Sequence, residues 1–217
     1  MFGILFVLLM TMTESAPLAQ NNSSMLYVVT YVDVQLNSMN QGIALVKRYR
    51  EAALSEKGHS SVDVVQEIGR PNHFVIVEVW KDDASFEAHE KSQQTVQFRT
   101  ALQAIHNSPY DQRVHRGLSI DPRAWASGPG TVSVVTHVDV PPPRAAETEA
   151  LLRRSAEDSR KDDGNVRYDI PTNRASHESL HGSCSVEGSE VVRLARNETA
   201  RPSISRGAGA DAGRSLR

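Results

Sequence analysis

The sequence predicts an α+β protein in which one domain is begun twice. The run VVTYVDV (Val28 to Val34) returns as VVTHVDV (Val134 to Val140), an offset of 106 residues. An amphipathic stretch follows the first run, and two β-branched runs joined by GRPN come next. Runs rich in Val, Thr and Tyr fit a pleated, half-buried surface, whereas a helix needs apolar residues at steps of three and four.

The elements follow in order. MLYVVTYVDV reads as a strand buried on at least one face. In NQGIALVKRYREAALSEKG, Ile43, Val46, Ala53 and Leu54 recur near helical spacing, with charges between them and Gly58 placed to stop the helix. SVDVVQEI and HFVIVEVW, parted by GRPN, read as a strand pair. Asp82 or Asp83 then caps a short helix, and QTVQFRTALQAI sets Phe98, Leu102 and Ile105 on one face of a second. YDQRVHRGL closes the unit as a last strand, giving β-α-β-β-α-α-β over residues 25–120. Helices packed on one face of a sheet leave its other face bare, so this unit requires a cover.

The 217 residues allow one or two domains, and the repeat favours two. A formal charge of −2 gives no basis for binding nucleic acid or an anionic membrane. Cys184 is the single cysteine, so no intrachain disulfide can form and no cysteine-ligated metal site is expected. MFGILFVLLM is too short for a transmembrane helix, which needs about 20 apolar residues. Residues 1–24 read as a signal peptide with small residues around Ala16 and Ala19, which implies export. The competing reading is a translation start at Met25 and a cytoplasmic protein.

The stretch NHFVIVEVWKDDASFEAHE, followed by QFRTAL, resembles the antibiotic-biosynthesis monooxygenase-like family. Its members end a strand in a Glu-x-Trp-like pair and place a His on the next helix. The resemblance covers residues 25–118, and from Val132 to Asp169 in the second copy. It implies a ferredoxin-like dimeric α+β barrel domain with a truncated second copy. Two such units pair their sheets face to face, as a homodimer or within one chain, and this pairing would supply the missing cover.

From Pro171 onward the second copy departs from the first. Codons compatible with PTNRASHESLHGSCSVEGSEVVRLAR also permit, one nucleotide out of frame, QQTxRPTNHFTVHAAWKDRKSFDSHE, close to RPNHFVIVEVWKDDASFEAHE of the first copy. The expected organisation is therefore a leader over 1–24, a domain over 25–120, a linker over 121–131, a partial second domain over 132–170, and an out-of-frame tail over 171–217. The tail's composition, poor in large apolar residues, predicts disorder.

The resemblance implies oxygenase chemistry with no metal, flavin or nicotinamide. A small aromatic or quinol-type substrate is deprotonated and itself passes an electron to dioxygen. Such chemistry needs an apolar pocket, a base near the phenolic proton and donors for the resulting anion. Trp80 and His89 match the family's Trp and His, and are the catalytic candidates, the indole to stack and donate, the imidazole as base. Each has a structural alternative, a core aromatic and a helix-bonding His. Asn72, His73 and Glu78 are candidates for substrate binding: the first two open the third strand, and Glu78 shares a face with Trp80 by the two-residue strand period. A non-catalytic binding or dimerisation module of the same fold is the alternative function, and a haem-binding or haem-degrading relative the third. The first strand, YVVTYVDV, lacks the Asn that haem-degrading relatives carry.

Overall fold

The computed structural model describes residues 24–123, 131–173 and 188–195. The first half runs β1 (Leu26–Asp33), α1 (Met39–Ser55), β2 (His59–Glu67), β3 (Arg70–Trp80), α2 (Asp83–Glu90), α3 (Gln93–Gln103) and β4 (Asp111–Ser119). This is the order expected from the sequence. The second half adds β5 (Thr131–Val138), α4 (Ala145–Ser159), β6 (Asn165–Asn173) and β7 (Gly188–Ala195). The seven strands among the described residues form one antiparallel sheet in the order β2-β3-β1-β4-β6-β7-β5.

Local signals set the first half. Gly69, at φ +90°, makes the tight turn between β2 and β3, and Gly58, at φ +89°, ends the passage from α1 to β2; both conformations favour glycine. Asp82 caps α2 by accepting from the Ser85 amide at 2.8 Å, and Ser92 caps α3 by accepting from the Thr95 amide at 3.2 Å. The buried stripe of α1 comprises Gly42, Leu45, Val46, Tyr49 and Ala53. It is rotated from the expected face, since Ile43 and Leu54 lie at the margin of the core.

β1 is central, and both of its faces are covered. Val32 and Val34 meet the helices, packing with Leu45, Phe74 and Phe98. Val29, on the opposite face, packs with Val75 and Val77, and Val135 of β5 lies against this cluster. The bare face predicted from the sequence is thus met by the second half of the same chain, whose β6 pairs with β4 from His115↔Asn173 to Ser119↔Ile170. A buried ionic seam reinforces that join. The Asp121 amide donates to Asp169 Oδ1 at 2.9 Å, Asp121 pairs with Arg123, and Arg160 donates to the carbonyls of Tyr168 and Ser119 at 2.8 and 2.9 Å.

Two sequence expectations change here. Residues 121–123 are not a plain linker, because Asp121 is buried within this seam and held by its ion pair with Arg123. Nor is the segment after 170 wholly without structure: β6 runs on to Asn173 against β4, and residues 188–195 form β7, paired with both β5 and β6. An open strand edge offers a complete set of backbone partners to whatever sequence follows, and that outweighs weak intrinsic propensity. Residues 1–23 of the expected leader and the remainder of 171–217 lie outside the described residues.

Candidate active site

The side chains of β3 alternate, so Glu78 and Trp80 both point to the helix-covered face. There α2 delivers His89. The three side chains are each 0% exposed. Trp80 stacks on His89 with ring centroids 4.4 Å apart, and Phe86 flanks the imidazole at 6.4 Å. The sequence-derived trio Glu78, Trp80 and His89 therefore converges on one place.

Three residues that the sequence did not single out complete the cluster. Tyr49 of α1 places its hydroxyl 3.0 Å from Glu78 Oε1 and 2.8 Å from His89 Nε2. Glu56, just past the end of α1, sets Oε2 2.9 Å from His89 Nδ1. Thr95 Oγ1 lies 3.4 and 3.3 Å from the two ring nitrogens. The signal for Tyr49 was its place on the buried stripe of α1, because a buried phenol requires a partner for its hydroxyl. Glu56 carried no such signal.

Burial governs the protonation states. It pushes the Glu78 carboxyl up to about 8, against a smaller opposing effect from the Tyr49 hydrogen bond. Burial also lowers the His89 imidazole, partly offset by its hydrogen bond to Glu56, and raises the Tyr49 phenol well above its ordinary value. Burial thus favours the uncharged forms of Glu78 and His89. The Tyr49 hydroxyl donates to Glu78 Oε1 and its oxygen faces His89 Nε2, while His89 Nδ1 faces the Glu56 carboxylate. Glu78 Oε2 and Trp80 Nε1 remain buried with no hydrogen-bond partner among the described residues. Such atoms call for a polar atom from water or ligand.

Tyr49 also lines a cavity of about 300 Å³ between α1 and α3, with Leu45, Phe98 and Ala101 as its apolar part and Arg48, Gln94 and Gln97 as its polar part. A second cavity, of about 320 Å³, opens at Tyr110 and Arg99, where Arg99 lies over the Tyr110 ring at 5.3 Å and pairs with Glu90. No cluster of His, Cys, Asp and Glu suited to a metal occurs among the described residues.

Asn72 and His73 do not join this site. Trp80 is eight residues further along β3, roughly 26 Å at the rise of an extended strand. Asn72 Nδ2 donates to Asp33 Oδ1 at 2.7 Å and to the Val34 carbonyl at 2.9 Å, clamping the end of β1. His73 points to the opposite face, where it stacks on Tyr31 at 6.1 Å and lies 2.6 Å from Glu67 Oε2. Their place at the strand start, together with the alternation of β3, separates them from Trp80.

Comparison with known proteins agrees with this architecture. No curated protein matches the sequence. A candidate monooxygenase from Fusobacterium nucleatum subsp. nucleatum superposes with a TM-score of 0.68 at 15% identity, over 81% of this chain and 78% of that one. A second, from Lactobacillus acidophilus, does so with a TM-score of 0.63 at 12% identity, over 81% and 79%. At such identities the likeness shows a shared fold. The sequence model of the antibiotic biosynthesis monooxygenase family matches residues 25–107, the segment that carries Tyr49, Glu56, Glu78, Trp80 and His89.

Proposed function

We propose that the protein is a cofactor-independent monooxygenase that oxidises a small aromatic or quinol-type substrate with dioxygen. The observation that carries this reading is the hydrogen-bonded chain Glu78–Tyr49–His89–Glu56, whose Tyr49 lines the α1–α3 cavity. A substrate C–H or O–H proton passes to the Tyr49 oxygen as the Tyr49 proton moves to His89 Nε2. The imidazolium so formed is paired with the Glu56 carboxylate. The Tyr49 hydroxyl turns between Glu78 Oε1 and His89 Nε2 to make this transfer, and the Trp80 indole holds the imidazole in place by stacking on it.

For an anthrone-type substrate the balance is complete. The carbanion gives one electron to dioxygen, the substrate radical and superoxide join through a new C–O bond, and the peroxide takes back the proton. Loss of the second proton from that carbon, with cleavage of the O–O bond, then forms the carbonyl, and the leaving hydroxide takes up the proton as water. One oxygen atom enters the product and the other leaves as water.

Oxygen uptake by the full chain, presented with a panel of quinols and anthrones, tests the reading beside Trp80→Phe and His89→Ala. Uptake that falls at least ~100-fold in His89→Ala supports it, since a positioned general base contributes about that much or more. Absence of uptake by the folded protein across the panel would favour the second reading, a non-catalytic ligand-binding module. One observation points that way: Glu78, Trp80 and His89 are sealed from solvent in the described structure.

A further inference from the structure

The cavity between α1 and α3 is chemically asymmetric. Its floor is the pair of Tyr49 and Phe98 rings, centroids 4.3 Å apart and tilted by 33°, with Leu45 and Ala101 beside them. Its rim is polar, and Arg48 is the one charged residue among those that line it. Successive residues of a helix stand about 100° apart, so the Tyr49 ring is buried while Arg48, next to it in the chain, is exposed at the cavity mouth.

Among the described residues Arg48 makes no ion pair or hydrogen bond. Arg99 of α3 differs, being held by Glu90 and Gln112. A guanidinium left in this state, at the mouth of a cavity floored by two aromatic rings, is placed to pair with an anionic group on whatever molecule enters.

We propose that this cavity selects a substrate in which a small aromatic ring system carries a carboxylate, with the rings on Tyr49 and Phe98 and the carboxylate on Arg48. The proposal rests on the oxygenase reading for what happens to the ligand, and on the cavity alone for what is bound. A volume of about 300 Å³ lies at the lower end of small-molecule sites and suits one or two fused rings. Aromatic faces favour a planar apolar guest in offset or edge contact. The guanidinium fork matches the two oxygens of a carboxylate. One positive charge also balances one negative charge, whereas a phosphate monoester brings close to two, of which this lining would neutralise one. Gln94 and Gln97, three residues apart on α3, form the facing wall and each offers amide donors to a ring hydroxyl or carbonyl.

The test is isothermal titration calorimetry of the full chain under argon with two probes, a hydroxynaphthoate and the naphthol that lacks its carboxylate. The hydroxynaphthoate should bind about tenfold or more tightly than the naphthol, the step expected of one charge-assisted contact. Arg48→Gln should remove this preference, and Arg48→Lys, a point charge without the fork, should keep only part of it. Arg50→Gln is the control, because Arg50 lines a different cavity with Val64 and Phe74, and it should keep the preference whole. Equal affinity for the two probes, no binding of either, or equal losses in Arg48→Gln and Arg50→Gln would overturn the proposal, leaving Arg48 a solvated surface charge. Preference for the hydroxynaphthoate without oxygen uptake on any substrate would uphold the carboxylate site and overturn the oxygenase reading. Uptake of neutral substrates with no preference for acids would do the reverse.

Discussion

The indole of Trp80 lies on the imidazole of His89, centroids 4.4 Å apart and planes 29° from parallel. The two rings come from a strand and a helix, and the stack fixes how α2 sits on β3. His89→Ala removes the stack and leaves Tyr49 and Glu56 without their shared partner. A loss of roughly 2–4 kcal/mol in urea unfolding is expected, from the cavity and from the stranded polar groups. Trp80→Phe keeps an aromatic face on the imidazole and removes a donor that is unpartnered within the described structure. It should cost about half as much or less.

Glu78 makes stability depend on pH with an unusual sign. Its carboxyl ionises near 8 when folded and near 4.5 as a free group. Between these values the folded protein holds one proton more than the unfolded chain. The stability from Glu78 is therefore complete below about 4.5 and is lost as pH rises through about 8. His115, lowered by burial from 6.5 to about 4, acts oppositely, since there the unfolded chain holds the extra proton and stability is lost as pH falls below 6.5. The two slopes offset each other between about 4.5 and 6.5, and only the Glu78 slope continues from there to about 8. Urea titrations from pH 5 to 8 should show a decline above 6.5 that Glu78→Gln removes. A decline of unchanged slope in that variant would assign the effect elsewhere.

Arg160 holds the two halves together through the backbone. Its guanidinium reaches the Tyr168 carbonyl at 2.8 Å and the Ser119 carbonyl at 2.9 Å, joining α4 to β6 and to the end of β4. Arg160→Ala leaves those buried acceptors short of a donor, so a loss of about 1–3 kcal/mol is expected. Amide exchange should accelerate in β4 and β6 ahead of β2 and β3. Uniform acceleration over all strands would show that the seam is not a separate unit.

Gly42 is pressed against Val34, just past the end of β1. A Cβ placed there would stand 2.9 Å from Val34 Cγ2. In an open helix, Gly→Ala gains up to about 1 kcal/mol. Here the clash with a well-packed valine outweighs that gain, and Gly42→Ala should lower stability by roughly 1–3 kcal/mol. The double variant Gly42→Ala, Val34→Ala should recover part of the loss, and calorimetry would measure both.

The first half was legible because its signals are local. Period-two alternation in VVTYVDV and HFVIVEVW, a helical stripe between them, Gly58 and Gly69 at the turns and Asp82 at a cap each speak for one element, and each agrees with its neighbours. The pairing of Glu78 with Trp80 was equally legible, since alternation alone puts them on one face. Tyr49 and Glu56 were not, because their roles depend on how α1 lies across β3, which no local pattern states. Asn72 and His73 were grouped with the site through their position at a strand start, although the rise per residue along β3 carries them far from Trp80. The strand at 188–195 was illegible for a different reason: partners in β5 and β6 make it a strand, and its own sequence says little.

The contact of Val135 with Val29, Val75 and Val77 means that the first sheet receives its cover from its own chain. A cover tethered in this way arrives at an effective concentration on the order of millimolar for a short connection. Dilution therefore does not strip it away, as it would a cover shared between separate molecules. The melting temperature of the first half should stay constant across protein concentrations, and covering the sheet is, in this chain, a step of folding.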